Sequence, residues 1–193
     1  MNVVSRAAMV LVDPVAEWAR IESEPDDPVY LMTRYVASLA LVPAVSGFIG
    51  ACIIGVVVPG ESAVRASIFN GLFGAIFGYL ESFAVVSLIA LFIAVLAPLF
   101  GGFRNFSAAL KLAAYAFTPV WLAGIVLLLP GLRFLLLTGL YGVCILIAGL
   151  ALLLKMPMRK SLSFAVLIAI VACGLIYGAA HARQLLFGGL GGL

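Results

Sequence analysis

A small set of polar side chains interrupts the apolar stretches of this sequence, and Glu81 has the clearest chemical potential among them. It is the only acidic residue inside a predicted membrane-spanning segment. A charge at the centre of a bilayer costs about 2.5–3.5 kcal/mol on insertion scales, so such a group is usually paired or functional. Glu81 is therefore the first candidate for binding or conducting an ion or a proton.

Helical spacing predicts which neighbours share a face with this carboxylate. On the second predicted span, Asn70, Gly74 and Glu81 fall on one side of a helix, and Gly78 lies close to the same line. Gly74 and Gly78 also form a GxxxG pair, and small residues at this spacing let two membrane helices approach closely. We therefore predict that both glycines serve helix packing and that this face turns into the bundle.

Two further predicted spans carry polar residues at helical intervals. Lys111, Tyr115 and Thr118 share one face of the third span, and Thr138 and Tyr141 lie one turn apart on the fourth. We expect these groups to meet the polar face of the second span in a single polar seam, where a tyrosine, a threonine or the lysine pairs the carboxylate. Two interpretations stay open. The seam is either a binding or conduction path for an ion, a proton or a small polar solute, or it is hydrogen-bonded glue for the bundle.

Other chemistries find no support in the residue pattern. The only histidine, His181, lies near a predicted helix end without metal-ligand partners, and neither HExxH nor GxSxG occurs. Cys52, Cys144 and Cys173 lie in apolar runs without CxxC spacing, so we expect them to pack as small hydrophobic residues. The net charge of +3 is too small to suggest nucleic-acid binding. We therefore predict a protein that is not an enzyme and that carries no metal or cofactor.

The composition predicts the class of protein that positions these residues. Hydrophobic residues make up 65% of the 193-residue chain, and charged residues make up 10%. The apolar residues form five long runs, and about 20 such residues in a helix cross a bilayer. Strands of a membrane barrel would alternate apolar and polar residues, which these runs do not do. The sequence therefore predicts an all-α, polytopic membrane helix bundle with five transmembrane helices, preceded by a short amphipathic helix.

Turn residues set the boundaries of the predicted elements. Residues 1–33 are expected to form a cytoplasmic or interfacial amphipathic segment, residues 34–181 the five-helix transmembrane domain, and residues 182–193 a flexible glycine-rich tail. Pro119 is expected to kink the third span, because proline removes a backbone hydrogen bond. The five predicted spans cover residues 35–58, 70–97, 108–129, 132–154 and 161–180.

The N-terminal segment contains a predicted helix that starts with a capping residue and a proline, Asp13-Pro14. The face expected to contact the membrane or the bundle consists of Val15, Trp18 and Ile21. The charged side chains expected to point away from it are Glu17, Arg20 and Glu24. Two placements stay open: flat on the membrane surface with the tryptophan at the interface, or packed on the ends of the bundle. Residues 22–28, an acidic run, are expected to be a solvated loop, with cation binding as the alternative.

The distribution of basic residues predicts the orientation in the membrane. Eight of the eleven Lys and Arg residues fall on the side of the N-terminus, and Arg65, Arg133 and Arg183 fall on the other side. Basic residues favour the cytoplasmic side, and the loop from Lys155 to Lys160 contributes most strongly. We therefore predict a cytoplasmic N-terminus and a C-terminus on the opposite side.

Several short motifs are specific enough to compare with known families. They are Leu99-Phe100-Gly101-Gly102, the run from Ala108 to Pro119, Leu129-Pro130-Gly131-Leu132, Leu140-Tyr141-Gly142 and Lys155-Met156-Pro157. Together they resemble the Yip1 family of membrane proteins, with the segment Tyr115–Pro119 as the most specific part. Asp13-Pro14 with the helix after it, and residues 39–44, resemble the bacterial branch of that family. The resemblance covers about residues 12–178.

The resemblance implies five membrane helices with a cytoplasmic N-terminus, in agreement with the charge count. In eukaryotes the family is linked to vesicle traffic between the endoplasmic reticulum and the Golgi, and to binding of prenylated Rab GTPases. The Asp-Leu-x-Gly-Pro motif of the eukaryotic first span is absent here, so the Rab role is not carried over. For this chain the resemblance implies a protein of the bacterial inner membrane.

Two functions are expected on these grounds. The first is a non-enzymatic membrane scaffold, or a membrane-organising or trafficking-related component. The alternative is a small transporter or channel that uses the polar seam around Glu81. The expected partners are the lipid bilayer, a second copy of the chain that meets the glycine faces, and a membrane or cytoplasmic protein. Nucleic acid is not an expected partner.

Overall fold

Helices account for all the regular structure in the part of the chain that is described. The structure is a computed structural model that describes residues 2–55, 65–128 and 137–187, with side chains as far as residue 183. Within these ranges there is no strand. We number the helices in chain order as α1 (Val3–Val12), α2 (Pro14–Ser23), α3 (Pro28–Ile54), α4 (Ile68–Phe100), α5 (Phe106–Leu128), α6 (Leu137–Leu153) and α7 (Met158–Phe187).

Four of these helices are long and apolar enough to cross a membrane. They are α3, α4, α5 and α7, with 27, 33, 23 and 26 residues when α7 is counted as far as Arg183. The apolar helix α6 is shorter, and the span predicted for it starts at residue 132, outside the described residues. The prediction of an all-α, polytopic membrane protein is confirmed with four candidate spans, and a fifth crossing at α6 stays a prediction.

Glycines bring α5 and α6 into close contact. A Cβ added at Gly142 would lie 2.3 Å from the carbonyl oxygen of Ala116, and one added at Gly149 would lie 2.4 Å from Cδ2 of Leu112. Because neither position carries a side chain, the two helices approach closely at both levels. Residue numbers fall along α5 as they rise along α6, so the two helices are antiparallel.

Helix α4 packs against α3, α5 and α7 and forms one wall of the core. Its side chains Ile89 and Ile93 are fully buried. Near its C-terminal end, the ring of Phe100 stacks on Phe164 of α7 with the ring centroids 4.5 Å apart. The core is therefore continuous from α4 into the last helix.

Two prolines shape the contact between α3 and α5. The first α-helical segment of α5 ends at Ala116 and the next begins at Thr118, so the helix is interrupted immediately before Pro119, the residue predicted to kink it. Pro43 lies inside α3, and a Cβ added at Gly124 would lie 2.6 Å from the Pro43 Cβ. The two helices therefore meet where Pro43 of α3 faces Gly124 of α5. Gly124 is also the residue at which α5 tightens into a 3-10 helix.

The first two helices form a hairpin that packs into the bundle, and we call residues 2–23 the N-terminal hairpin. Asp13 separates its helices and caps α2, since its side chain accepts a hydrogen bond from the Ala16 N–H. Trp18 is 1% exposed, and its indole N–H donates to the carbonyl oxygen of Ile145 at 2.9 Å. The structure therefore shows this segment packed on the bundle.

The buried face of α2 differs from the predicted one. Trp18 and Ile21 are buried as expected, but Val15 is 60% exposed. Glu17, which was expected to point away from the buried face, has no exposed surface. Its carboxylate pairs with Arg6 of α1, and this buried counter-charge allows the acidic group to lie inside. The prediction considered α2 alone and therefore missed the partner that α1 supplies.

The last helix extends further than predicted. Helix α7 continues to Phe187, so the flexible tail expected for residues 182–193 is helical over its first six residues. The remaining residues, 188–193, lie outside the described residues. The extension matters for the site below, because it places Arg183 on a helix beside α4.

Candidate functional site

The predicted polar seam is divided among three places in the structure. Glu81 and Asn70 line a cavity between α3, α4, α5 and α7. Lys111, Tyr115 and Thr118 contact the N-terminal hairpin or α3 instead. The groups predicted on the fourth span lie on α6, where the Tyr141 hydroxyl reaches the hairpin.

Glu81 pairs with an arginine of the last helix and not with a seam residue. Its Oε2 lies 3.6 Å from Nη2 of Arg183, and its side chain is 13% exposed. This oxygen accepts no hydrogen bond from any group in the described part of the chain. The predicted partners, a tyrosine, a threonine or Lys111, are therefore wrong, and Arg183 was missed because the last span was expected to end at residue 180.

The cavity beside this ion pair has a volume of about 590 Å³, and we call it the Glu81 cavity. It lies in the half of the bundle where α3 and α5 end, where α4 begins, and where α7 carries Arg183. Its wall combines large apolar groups with few polar ones, including Phe48, Asn70, Glu81, Val85, Trp121 and Arg183.

The glycines predicted to pack helices instead keep this cavity open. A Cβ added at Gly74 would have no atom within 4 Å among the described residues, and the nearest to one at Gly78 would be Nη1 of Arg183 at 3.5 Å. Among the described residues, neither Gly74 nor Gly78 therefore lies at a close helix contact. Close helix contacts occur at other glycines, namely Gly50, Gly71, Gly124, Gly142 and Gly149.

A second polar cluster connects the two helices of the N-terminal hairpin. Nη1 of Arg6 lies 2.6 Å from Oε1 of Glu17, and the other guanidinium nitrogen pairs with Glu24. Arg20 lies 3.1 Å from the second oxygen of Glu17. Burial alone would lower the pKa of Arg6, but the hydrogen bond with Glu24 and the nearby carboxylates raise it above its ordinary value. The buried arginine is therefore permanently charged, and its carboxylate partners balance it.

Lys111 anchors the end of α2 rather than Glu81. Its Nζ donates to the carbonyl oxygens of Ile21 at 3.3 Å and Glu24 at 3.0 Å. It also lies 2.7 Å from Oδ1 of Asp26. A cation at the C-terminus of a helix satisfies carbonyl groups that have no partner within the helix.

The acidic run at residues 22–28 is held by basic side chains of the N-terminal hairpin and of the bundle. Glu22 pairs with Lys155, Glu24 pairs with Arg6, and Asp26 pairs with Lys111. The loop is exposed over most of its length, as expected, and it is also tied to the protein by these ion pairs. The excess of basic residues on the same side, already visible in the sequence, was the available signal for this pairing.

Aromatic residues complete the contact between the hairpin, α3 and α5. The hydroxyl groups of Tyr35 and Thr118 lie 2.7 Å apart, and both side chains are buried. The ring of Tyr115 contacts Tyr35 at 4.6 Å and Trp18 at 5.7 Å between centroids. Sequence reasoning missed Tyr35, because it lies at the edge of the first predicted span and was not compared with the third.

The seam residues of α6 lie apart from the cavity. The Tyr141 hydroxyl donates to the carbonyl oxygen of Leu11 at 3.0 Å. Thr138 is exposed near the start of α6. Cys144 and Cys173 are also exposed on the helix surfaces, which corrects the expectation that they are packed inside. Within the described ranges, no group of three His, Cys, Asp or Glu side chains is arranged to hold a metal ion.

Helices long enough to span a bilayer, charges paired between helices and an apolar outer surface define a multi-pass integral membrane protein. The model of the Yip1 domain matches residues 8–180, so the chain belongs to the Yip1 family. Neither the curated proteins nor the solved structures contain a match to the chain.

Proposed function

We propose that this protein is a non-enzymatic membrane-organising component that acts as a scaffold through the shape of its helical body. Its expected location is the bacterial inner membrane, with the N-terminus on the cytoplasmic side. The observation that carries the proposal is the N-terminal hairpin, in which Arg6 and Glu17 are buried while Val4, Val12 and Val15 are exposed. A trafficking-related role would follow from the same property, because vesicle formation requires a membrane to change shape.

Part of the hairpin departs from the pattern of a helix exposed to water, although Asp13 and Arg20 are exposed. Arg6 and Glu17 are buried, whereas Val4, Val12 and Val15 are 76%, 80% and 60% exposed. Ionisable groups inside a bilayer face the protein interior and pair with one another, while apolar side chains face lipid. The part of the surface that carries these valines therefore suits the acyl chains of one leaflet better than the cytoplasm.

The neighbours of the hairpin indicate how deep it would lie. Its turn reaches the level of Tyr141, through the hydrogen bond to Leu11. The adjacent residue Gly142 packs on Ala116, which ends the 11-residue segment Phe106–Ala116. That segment is about 16 Å long at 1.5 Å per residue, roughly half of a hydrocarbon core of about 30 Å. The hairpin would therefore occupy one leaflet without crossing to the other.

The two halves of the bundle differ in cross-section as a result. The half near the Lys155–Lys160 loop contains the spans together with α1 and α2, whereas the opposite half contains the Glu81 cavity. A protein that occupies more area in one leaflet than in the other favours a curved bilayer. This shape supports a role in membrane organisation that requires no catalytic step.

The alternative function, conduction along a polar seam, has less support. The seam residues are separated among the described helices, and only Glu81 and Asn70 lie at the cavity. Lys111, Tyr115 and Thr118 already hold structural contacts with the hairpin and α3. A continuous row of polar groups, which a path for ions or protons requires, is therefore not formed by these residues.

Reconstitution tests the proposed function directly. The full chain would be incorporated into liposomes at increasing protein-to-lipid ratios, and vesicle diameters would be measured by electron microscopy. Trp18→Ala removes the buried anchor of the hairpin, and Tyr177→Ala removes an aromatic residue that is 75% exposed. The wild type and Tyr177→Ala are expected to shift the diameters to smaller values, and Trp18→Ala is expected to lose the shift. Diameters that never change with the wild-type protein would refute the proposal.

Chemical crosslinking in native membranes tests the scaffold part of the proposal. A scaffold is expected to give discrete crosslinked species containing a second copy or a membrane partner, and these species should weaken in Trp18→Ala. If only intramolecular crosslinks form at every reagent concentration, so that the protein remains a monomer, this part of the proposal is wrong.

A further inference from the structure

The Glu81 cavity has the size and composition of a small-molecule site. Its volume of about 590 Å³ falls within the range of roughly 300–1,000 Å³ that such sites occupy. Apolar groups such as Val85 and Trp121 form most of its wall, and a charged pair lies on one side. We propose that this cavity binds the zwitterionic head of an amphipathic molecule, with an ammonium group at Glu81 and an oxyanion at Arg183.

The charged pair is incomplete as it stands. The 3.6 Å between Glu81 Oε2 and Arg183 Nη2 is longer than a hydrogen bond. The same carboxylate oxygen has no hydrogen-bond donor among the described residues, although it is buried. A buried acceptor without a donor is costly, and a donor supplied by a ligand removes this cost.

The balance of charge selects the class of ligand. Glu81 and Arg183 together are neutral, so a ligand with one net charge would leave an uncompensated charge in an apolar setting. A zwitterion satisfies both groups at once: its ammonium donates to the carboxylate, and its oxyanion accepts from the guanidinium with charge-assisted bonds. The apolar wall suits the hydrocarbon part of the same molecule.

The glycine face of α4 leaves the room that this ligand needs. A Cβ at Gly74 would contact nothing within 4 Å among the described residues, so the open volume begins directly at the backbone. Ser82, another wall residue, already donates to the carbonyl oxygen of Gly78 at 3.0 Å, so its hydroxyl can serve a ligand only as an acceptor. The ion pair is therefore the recognition element.

Two sources supply this chemistry, and the experiment separates them. One is an aminophospholipid of the membrane, and the other is a free zwitterion in the aqueous phase. The purified full chain would be titrated with phosphatidylethanolamine, with phosphatidylglycerol as the anionic comparison, and with soluble glycerophosphoethanolamine as the free headgroup. Binding would be followed by native mass spectrometry and by the shift in thermal unfolding temperature.

Two variants and a matched control identify the cavity as the site. Gly74→Leu fills the open volume without removing a charge, and Glu81→Gln removes the carboxylate. Gly174→Leu is the control, because it is also a helical glycine with no atom within 4 Å of an added Cβ, and it does not line the cavity. The inference does not depend on the membrane-organising role, since Gly74→Leu leaves the N-terminal hairpin unchanged.

The expected result is at least tenfold tighter binding of phosphatidylethanolamine than of phosphatidylglycerol by the wild type and by Gly174→Leu. Gly74→Leu and Glu81→Gln should each lose at least tenfold in affinity for phosphatidylethanolamine. If the two variants lose affinity for glycerophosphoethanolamine but not for phosphatidylethanolamine, the cavity binds a free zwitterion from the aqueous phase. Equal binding of the two phospholipids without any binding of glycerophosphoethanolamine, or full binding in a folded Gly74→Leu variant, would overturn the proposal.

Discussion

Trp18 occupies the space that a side chain at residue 149 would need. A Cβ on Gly149 would lie 2.6 Å from Cε2 of the indole ring, closer than real Cβ contacts allow. The indole N–H donates to Ile145, one turn earlier on the same helix. Packing and hydrogen bonding therefore fix α2 against α6 at one place. The hairpin fits there because residue 149 has no side chain.

Replacing Gly149 by alanine should loosen this contact. Overpacking a close contact costs about 1–3 kcal/mol, so Gly149→Ala is expected to lower the unfolding free energy by that amount in detergent micelles. Gly74→Ala is the matched control, because its added Cβ meets no atom within 4 Å and alanine favours a helix over glycine by about 1 kcal/mol. Equal unfolding midpoints for the two variants would show that Trp18 does not pack closely against Gly149.

The buried ion pair of the hairpin should be more important for stability than the exposed one nearby. Glu17→Gln leaves the buried Arg6 with Glu24 as its remaining carboxylate partner, so the cost is expected to exceed about 1 kcal/mol and to stay below the roughly 3–5 kcal/mol of a buried charge without any partner. Glu22→Gln breaks the pair with Lys155. Both side chains of this pair are more than a third exposed, and such surface pairs contribute at most about 1 kcal/mol. Chemical unfolding of both variants checks the difference. A similar loss of unfolding free energy in the two variants would show that the buried Glu17 pair contributes no more than an exposed pair.

Sequence reasoning predicted the class of the protein because composition alone determines it. The apolar runs required membrane helices, and α3, α4, α5 and α7 lie where four of the five spans were placed. Local sequence signals were also informative, since Asp13 caps α2 and α5 is interrupted next to Pro119. Each of these features depends on neighbouring residues in the chain, which a sequence displays directly.

The predicted seam failed because periodicity gives the face of a residue but not its depth in the bundle. Helices α4 and α5 follow each other across a short loop, so Lys111 lies level with the last turns of α4. Glu81 lies about four turns earlier on α4 at 3.6 residues per turn, too far for a lysine to reach. Depth along the two spans, counted from the loop that joins them, is therefore enough to exclude this pair.

The partner of Glu81 and the hairpin network were missed for a different reason. Arg183 was assigned to a flexible tail, although α7 continues as a helix to Phe187. Glu17 was considered on its own helix and no helix was predicted around Arg6, and their pairing depends on the turn at Asp13 that brings α1 back along α2. Contacts of this kind depend on how helices assemble, which the sequence pattern of a single helix does not contain.

The hydrogen bond between Tyr35 and Thr118 should add measurable stability. The two hydroxyl oxygens lie 2.7 Å apart in a buried setting, and such a bond contributes about 0.5–1.5 kcal/mol net. Tyr35→Phe is expected to lower the unfolding free energy by that amount, whereas Tyr177→Phe, at a residue 75% exposed, should have no effect. A double-mutant cycle with Thr118→Val measures the coupling, and additive effects of the two changes would argue against a direct bond.

The placement of the hairpin in one leaflet can be tested by cysteine labelling at Val12. This side chain is 80% exposed, so the protein itself does not shield it, and slow labelling would have to come from lipid. In a chain whose Cys52, Cys144 and Cys173 are replaced by alanine, Val12→Cys and the exposed Arg159→Cys would be treated in opened membrane vesicles with a membrane-impermeant maleimide. Val12→Cys is expected to react at least tenfold more slowly, because thiols in hydrocarbon do not meet a water-soluble reagent. Both positions should react equally after solubilisation and unfolding. Equal labelling rates in the opened vesicles, before solubilisation, would place the hairpin in water and remove the basis for the membrane-organising role.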